Sequence, residues 1–185
     1  MINYPKFAKI GEEKYKINTD YRIALKCNEV IQSNIQDEER SLAVIYLLFG
    51  DKGLNDSHNW NKLLNIAIKY LRCGREIEEE NDEEPNMSFE QDERYIRASF
   101  FSDYKIDLTK TYMHWWQFYD LLCGLTEDCV LNRVRFVRDF DISQIKDGKE
   151  YEKWAKQKEQ VALKHEKSLE EKRLDDLFEK QLKGG

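Results

Sequence analysis

The spacing of apolar residues along the chain predicts a series of helices. Apolar side chains recur at every third or fourth position in most segments, which is the period of one buried helix face. The 185 residues include only eight glycines and two prolines, so few positions interrupt these segments. The predicted helices cover residues 21–31, 37–49, 58–72, 91–104, 107–124 and 126–137.

The N-terminal residues follow a different period. Polarity alternates between residues 6 and 17 about a central Gly-Glu pair, which predicts a β-hairpin. Thr19 or Asp20 is expected to cap the first helix and Asp107 the fifth, while Gly50 and Gly74 should end the second and third. The expected fold class is therefore mainly α: a compact helical domain with a short N-terminal β-hairpin and a long charged C-terminal helix.

The segment from Met113 to Leu122 holds a dense cluster of aromatic residues. Each of its aromatic side chains has about 150–250 Å² to bury, so the segment must form core or contact a partner. Helical geometry places Trp115, Phe118 and Leu122 on one stripe, with Trp116 on the neighbouring face. Trp116 therefore belongs either to the core or to an interface. The expected core signature is His114, Trp115, Phe118 and Leu122.

The last part of the chain has a different composition. Charged residues dominate from about Ser143 onward, and only a thin apolar seam remains. Such a helix rarely folds alone. We expect residues 146–185 to form an amphipathic helix, exposed in the monomer and used for self-association or partner binding, beside a domain of residues 1–145. The candidate partner-binding residues are Trp116, Tyr151, Trp154, Val161, Leu169, Leu177 and Phe178.

An acidic run precedes the fourth predicted helix. Seven acidic residues and no basic residue lie between positions 76 and 84. Their mutual repulsion predicts a mobile, solvated loop over residues 75–87. The alternative is a run that binds a basic partner or imitates nucleic-acid phosphates. The formal net charge of −6 argues against a general affinity for nucleic acid.

The sequence also bears on localisation. The chain has no run of eighteen or more apolar residues that would cross a membrane. Its first residues lack the apolar core of a signal peptide. The four cysteines are scattered without a Cys-x-x-Cys pair, which is typical of buried free thiols in a reducing compartment. We expect a cytoplasmic protein that binds neither membranes nor nucleic acid.

Three groups of residues suggest chemistry, but none has the required spacing. His114, Cys123 and Cys129 contain zinc-ligand types without a second paired half-site. No cysteine has a flanking motif that would make it a nucleophile. Asp139 and Asp141 are explained by a helix end and its turn. No phosphate-binding, dinucleotide-binding or zinc-protease motif occurs. We therefore expect no catalytic, cofactor-binding or metal-binding residues and no enzymatic activity.

Seven short stretches together form a family pattern. They are Gly11–Tyr15, Ile17–Arg22, Leu71–Gly74, Tyr104–Leu108, Met113–Phe118, Leu121–Leu125 and Arg138–Asp147. The pattern resembles the bacteriophage "gene product fifteen" family, small proteins of tailed phages and prophages of Gram-positive bacteria. The most specific part is His-Trp-Trp followed by Leu-Leu-Cys-Gly-Leu and Asp-Ile-Ser. The resemblance covers about residues 4 to 160 and excludes the C-terminal tail.

This resemblance implies a role in tail assembly. Genes of the family usually lie between those of the major tail protein and the tape measure protein, a position typical of tail assembly chaperones. The implied function is to bind and solubilise the tape measure protein in the host bacterial cytoplasm before the tail tube polymerises. The implied partners are the tape measure protein and the major tail protein, with self-association. The alternative is a structural tail-completion or connector component of the virion; an enzyme or a DNA-mimicking inhibitor is a third hypothesis.

Overall fold

The chain begins with a two-stranded antiparallel hairpin. The computed structural model describes residues 4–75 and 85–164. Strand β1 (Phe7–Ile10) pairs with β2 (Glu13–Lys16), and Gly11 turns between them with a φ of 59°. The register pairs Ala8 with Tyr15, and both side chains are buried against the helices. The predicted hairpin is thus confirmed.

The remaining described residues are mostly helical, as predicted. Seven α-helices occur in these two ranges, and a short 3₁₀ turn (Ser57–Asn59) precedes the third. The helices are α1 (Tyr21–Gln32), α2 (Asp37–Leu54), α3 (Trp60–Leu71), α4 (Glu93–Tyr104), α5 (Trp115–Cys123), α6 (Val130–Asp139) and α7 (Gly148–Val161).

The helix ends follow the predicted capping chemistry in part. Of the two candidate caps, Asp20 accepts a hydrogen bond from the backbone N–H of Arg22 at 3.0 Å and so caps α1. Gly50 interrupts α2 with φ 64° and ψ −160°, but the helix resumes beyond this kink and continues to Leu54. The resumed turn packs closely: a Cβ at Gly53 would lie 2.6 Å from the Cβ of Phe49. Gly50 is therefore a kink and not the predicted end.

The predicted start of the aromatic helix was wrong. Asp107 accepts a hydrogen bond from the backbone N–H of Thr109 at 3.0 Å and stabilises a local turn. The chain then stays extended, because Met113 accepts from the N–H of Tyr21 at 3.0 Å and Trp115 donates its N–H to Thr19 at 2.9 Å. Helix α5 begins only after this β-bridge.

A contiguous core joins the hairpin to α1–α6. Helix α2 packs against α1 and α3, α5 packs against α1 and α4, and α6 packs against α4 and α7. An aromatic stack runs through the centre: Phe118 lies between Tyr21, at 4.6 Å, and Phe100, at 5.1 Å between ring centroids. Offset stacking of this kind adds about 0.5–1.5 kcal/mol per pair to the burial of the rings.

The long C-terminal helix is not confirmed. Helix α7 ends at Val161, and residues 162–164 leave the helical conformation. The backbone N–H of Lys164 donates to the side chain of Gln91 at 2.7 Å, and the Gln91 amide donates back to its carbonyl at 2.8 Å. Residues 165–185 lie outside the described ranges, as does most of the predicted acidic loop over 75–87. The division into units 1–145 and 146–185 stays a prediction.

Candidate functional site

Helix α5 begins where the ring of His114 caps it. Nδ1 of His114 accepts a hydrogen bond from the backbone N–H of Trp116 at 3.1 Å. Nε2 must then carry the ring proton, and it donates to the carbonyl of Pro5 at 3.0 Å. Tyr4 stacks on the imidazole with centroids 4.9 Å apart. Burial lowers the pKa of His114 from its ordinary value of 6.5. The neutral ring therefore joins residues 4 and 5 to α5.

The two tryptophans that follow hold the end of α3. Nε1 of Trp115 donates to the carbonyl of Leu71, and Nε1 of Trp116 donates to the carbonyl of Tyr70, both at 2.9 Å. These carbonyls belong to the last turn of α3, where no following helical N–H group is available to donate to them. We call these four residues the α3–α5 junction. The indole of Trp115 satisfies the Leu71 carbonyl, whereas the Tyr70 carbonyl accepts from both Trp116 and the backbone N–H of Cys73, the latter at 3.0 Å.

The four residues of the core signature are all buried. Trp115 is 1% exposed and Phe118 is fully enclosed, while His114 and Leu122 lie at the margin of the core. Trp115 stacks on Phe118 at 5.7 Å and meets the ring edge of Phe89 at 6.0 Å. This segment therefore organises the fold around α5.

Trp116 is half-buried at the edge of the same junction. Its ring lies 6.2 Å from that of Tyr70 and 6.4 Å from that of Tyr4. A Cβ at Gly74, which has a φ of 74°, would come within 3.1 Å of the indole. One face of the indole is thus covered by this chain itself. A role for Trp116 in binding a partner stays a prediction.

Helix α7 lies against α6 through aromatic and charged contacts. Trp154 stacks on Phe140 with centroids 4.1 Å apart, and Nζ of Lys158 donates to the Phe140 carbonyl at 2.6 Å. The carbonyl of Val161 accepts from Nε of Arg138 at 2.6 Å. We call these five residues the α6–α7 junction. It contains two of the predicted partner-binding residues, Trp154 and Val161, both half-buried; Leu169, Leu177 and Phe178 lie outside the described residues.

Arg138 of this junction also forms a buried ion pair with Asp92. The carboxylate of Asp92, whose side chain is 1% exposed, accepts two hydrogen bonds from Arg138 at 2.7 Å each. It also accepts the backbone N–H of Ser88 at 3.0 Å, and Arg138 donates to the Asn86 carbonyl at 2.9 Å. A bidentate pair with its remaining acceptors used is the geometry in which a buried charge is tolerated. The pair joins residues 86–92 to α6 and the end of α7.

Two exposed aromatic side chains lie on α6 and α7. Phe136 is 59% exposed and Tyr151 is 44% exposed. Phe136 is 5.8 Å from the ring of Phe140, so it borders the α6–α7 junction. Tyr151 precedes Trp154 by three residues, which places both on one side of α7. Sequence patterns identified Tyr151 as a candidate partner-binding residue but not Phe136.

A second apolar surface lies between three helices and was not predicted. Helices α1, α2 and α3 enclose a groove with a volume of about 410 Å³. Its floor is aliphatic and two half-exposed isoleucines form its edges. We call it the α1–α3 groove, and it is lined by Asn28, Ile31, Arg40, Ser41, Val44, Leu64, Ile68, Leu71 and Arg72.

The described residues do not assemble a metal centre. Across 4–75 and 85–164, no three or more His, Cys, Asp or Glu side chains are grouped to hold a metal ion. The four cysteines of the chain are free thiols. Burial raises the pKa of both Cys27 and Cys73 to about 12, so neither is poised as a thiolate. No helix in the described part of the chain is long and apolar enough to cross a membrane.

Comparisons with known proteins identify the family. A search of curated proteins found no match, and a search of solved structures found none either. The family model described as "Bacteriophage Gp15 protein" matches residues 4–163. The matched range includes both junctions and the α1–α3 groove. Because this match covers most of the length of the chain, the chain belongs to the bacteriophage Gp15 family.

Proposed function

We propose that this protein is a phage tail assembly chaperone that binds and solubilises the tape measure protein before the tail tube polymerises. It works in the host bacterial cytoplasm through protein contacts alone, without catalysis or a cofactor. Self-association and contact with the major tail protein belong to the same proposal. The observation that carries it is the family match over residues 4–163, which indicates a phage structural or assembly-related protein.

The surface of the molecule supports a binding role. A tape measure protein is a long helical rod, and apolar stripes on such a rod aggregate when they are left in water. The described surface offers the exposed aromatics Phe136 and Tyr151 beside α6 and α7, and the α1–α3 groove on another set of helices. Separate apolar surfaces on one small protein permit several weak contacts along a rod, with avidity providing occupancy.

The charge of the chain suits the same role. Charged residues make up 36% of the sequence, with 36 acidic and 30 basic side chains. A mixed-sign surface with a net charge away from zero keeps a complex soluble while its apolar surfaces are occupied. Modest affinity at each surface also allows release when tube subunits displace the chaperone.

Co-expression with the tape measure protein of the same phage tests the proposal. We expect the tape measure protein to be insoluble alone, and soluble and co-purified when this chain is present. The double variant Phe136→Ser/Tyr151→Ser should reduce co-purification. Phe101→Ser is the matched control, because Phe101 is also 59% exposed but lies on α4.

Two outcomes contradict the proposal. A tape measure protein that is equally soluble without this chain, together with normal tails after deletion of the gene, excludes the chaperone function. Stoichiometric amounts of this chain in purified virions, detected by mass spectrometry, favour the alternative of a structural tail-completion or connector component.

A further inference from the structure

The α1–α3 groove has the shape of a side-chain acceptor. Val44, Leu64 and Leu71 form its apolar floor. Ile31 at one edge is 41% exposed and Ile68 at the other is 39% exposed. A concave volume of about 410 Å³ lies in the range of sites that enclose ligand groups. The groove therefore offers apolar area that an aliphatic side chain from outside would cover.

The charged residues that line the groove have one sign. Its lining includes two charged side chains, Arg40 and Arg72, and both are basic although the chain has a net charge of −6. By contrast, the larger cleft of about 670 Å³ beside the hairpin is lined by Lys16 and Asp51, one charge of each sign. A basic rim on an acidic protein selects for carboxylates on whatever enters the groove.

The guanidinium of Arg40 is fixed in place before any partner arrives. Its Nη2 donates to the carbonyls of Ser33 and Ile35 at 2.9 Å each, and its Nη1 donates to Asp37 at 2.8 Å. The carboxylate of Asp37 is 96% exposed, so solvent screens that pair strongly. Arg72 is the C-cap residue of α3 and lines the same groove. A carboxylate that enters the groove thus meets one cation, Arg40, that is already ordered.

We propose that the α1–α3 groove binds an amphipathic helix of a partner protein, with an apolar stripe in the groove and Asp or Glu beside Arg40 and Arg72. Grooves between packed helices receive a helix through side chains spaced at i, i+3/i+4 and i+7. The proposal rests on the proposed function only in taking the partner as helical. Acidic residues that border the apolar stripe are the feature by which the groove selects the segment it binds.

Designed peptides provide the test with the full-length protein. One fluorescein-labelled helical peptide carries a leucine stripe bordered by Glu, and a second carries the same stripe bordered by Lys. Fluorescence anisotropy should show the Glu peptide binding about tenfold more tightly, from attraction in one case and repulsion in the other. Arg72→Glu should remove or reverse this preference.

A matched control separates the groove from the general charge. Lys62→Glu makes the same charge change on α3 but outside the groove lining, and it should leave the preference intact. Ile68→Asp should abolish binding of both peptides. Circular dichroism and thermal unfolding confirm that each variant folds; if Ile68→Asp does not, Ile31→Asp replaces it.

Several results would overturn the proposal. Equal binding of the two peptides, no binding of either, or an equal loss in Lys62→Glu would each reject the acidic-helix partner. Dissociation of a dimer by Ile68→Asp would assign the groove to a second copy of this chain. Tighter peptide binding in Leu177→Asp/Phe178→Asp would assign it to the chain's own C-terminal segment. These outcomes are independent of the tape measure experiment, whose variants lie on α6 and α7.

Discussion

The α3–α5 junction and the α6–α7 junction are built from the same kinds of contact, but the hydrogen-bond donors are neutral in the first and positively charged in the second. In both, aromatic rings stack and side-chain N–H groups donate to main-chain carbonyls. At the α3–α5 junction the donors are the neutral indoles of Trp115 and Trp116. At the α6–α7 junction the donors are the cations of Arg138 and Lys158.

This difference in donor charge distinguishes the α3–α5 junction, in the core, from the α6–α7 junction, at the edge of the molecule. A neutral donor costs less to desolvate than a cation, so Trp115 of the α3–α5 junction is only 1% exposed while Trp116 beside it is half-buried. Cationic donors have to be compensated, which the carboxylate of Asp92 does for Arg138. Helix α7 then rests on contacts that a competing partner could replace one by one. Helix α5 therefore holds the core together, whereas Phe136 and Tyr151 on α6 and α7 are exposed to a partner.

The largest expected effect is at the neutral junction. Trp115→Ala should lower the free energy of unfolding by about 4–5 kcal/mol, because it leaves a cavity and removes the donor to Leu71. Urea unfolding followed by circular dichroism measures the change. Tyr46→Ala is the control: within the described ranges Tyr46 is 50% exposed with no side-chain hydrogen bond, so it should change stability by less than about 0.5 kcal/mol. Equal effects of the two substitutions would show that Trp115 is not the centre of the core.

The charged junction should respond almost as strongly, but in a way that can be rescued. Arg138→Met should cost about 3–4 kcal/mol, because it leaves the buried carboxylate of Asp92 without its partner. The double variant Asp92→Asn/Arg138→Met should be more stable than Arg138→Met alone, since it has no uncompensated charge. A double-mutant cycle from urea unfolding measures the coupling. A double variant less stable than the single one would mean that the pair acts through packing alone.

The sequence revealed the local features of both regions and missed the distant ones. Asp20 was identified, together with Thr19, as a candidate cap because both are favoured N-cap residue types and the Asp20 cap acts within two positions. His114 is not among the favoured N-cap residues, so Asp107 was chosen in its place and the start of α5 was misplaced. Asp92 and Arg138 pair across 46 positions, and no periodicity links them.

The exposed surfaces were difficult to predict for a related reason. Periodicity indicates which side of a helix is apolar, but not whether another element covers it. Phe136 fits the apolar period of α6 and is nevertheless 59% exposed. The α1–α3 groove depends on how three helices are placed, which residue spacing within one helix does not determine. The family signature, by contrast, was visible because each of its seven stretches is contiguous in the sequence, including the one around His114 and Trp115.

The pH dependence of stability distinguishes the junctions at smaller magnitude. The pKa of His114 is lowered by burial, so between the folded and unfolded values the unfolded chain binds more protons. The stabilisation from neutral His114 is complete above the ordinary value of 6.5 and is lost as pH falls through the folded value. Thermal unfolding between pH 7.5 and 5 should show a falling midpoint.

Removal of the cap checks the origin of that pH effect. His114→Ala should cost about 1 kcal/mol at neutral pH, the usual cost of losing an N-cap, and should flatten the pH profile in this window. His58→Ala is the control, because His58 is exposed and no side-chain contact ties it to α5 in the described structure. If the profile flattened in His58→Ala but not in His114→Ala, His114 would not be the source of the pH dependence and the prediction would be wrong.

The smallest effect on stability is expected at Tyr151, and it is the one that tests binding most directly. Its side chain is 44% exposed on α7 and lies outside the stacked and charged contacts of the α6–α7 junction. Tyr151→Ala should therefore change the free energy of unfolding by less than about 0.5 kcal/mol. Pull-down with the co-expressed tape measure protein should nevertheless recover less of it, because an exposed aromatic contributes only when a partner covers it. If the substitution lowered stability but did not reduce recovery of the tape measure protein, Tyr151 would have a structural role, as Trp115 has, and not a binding role.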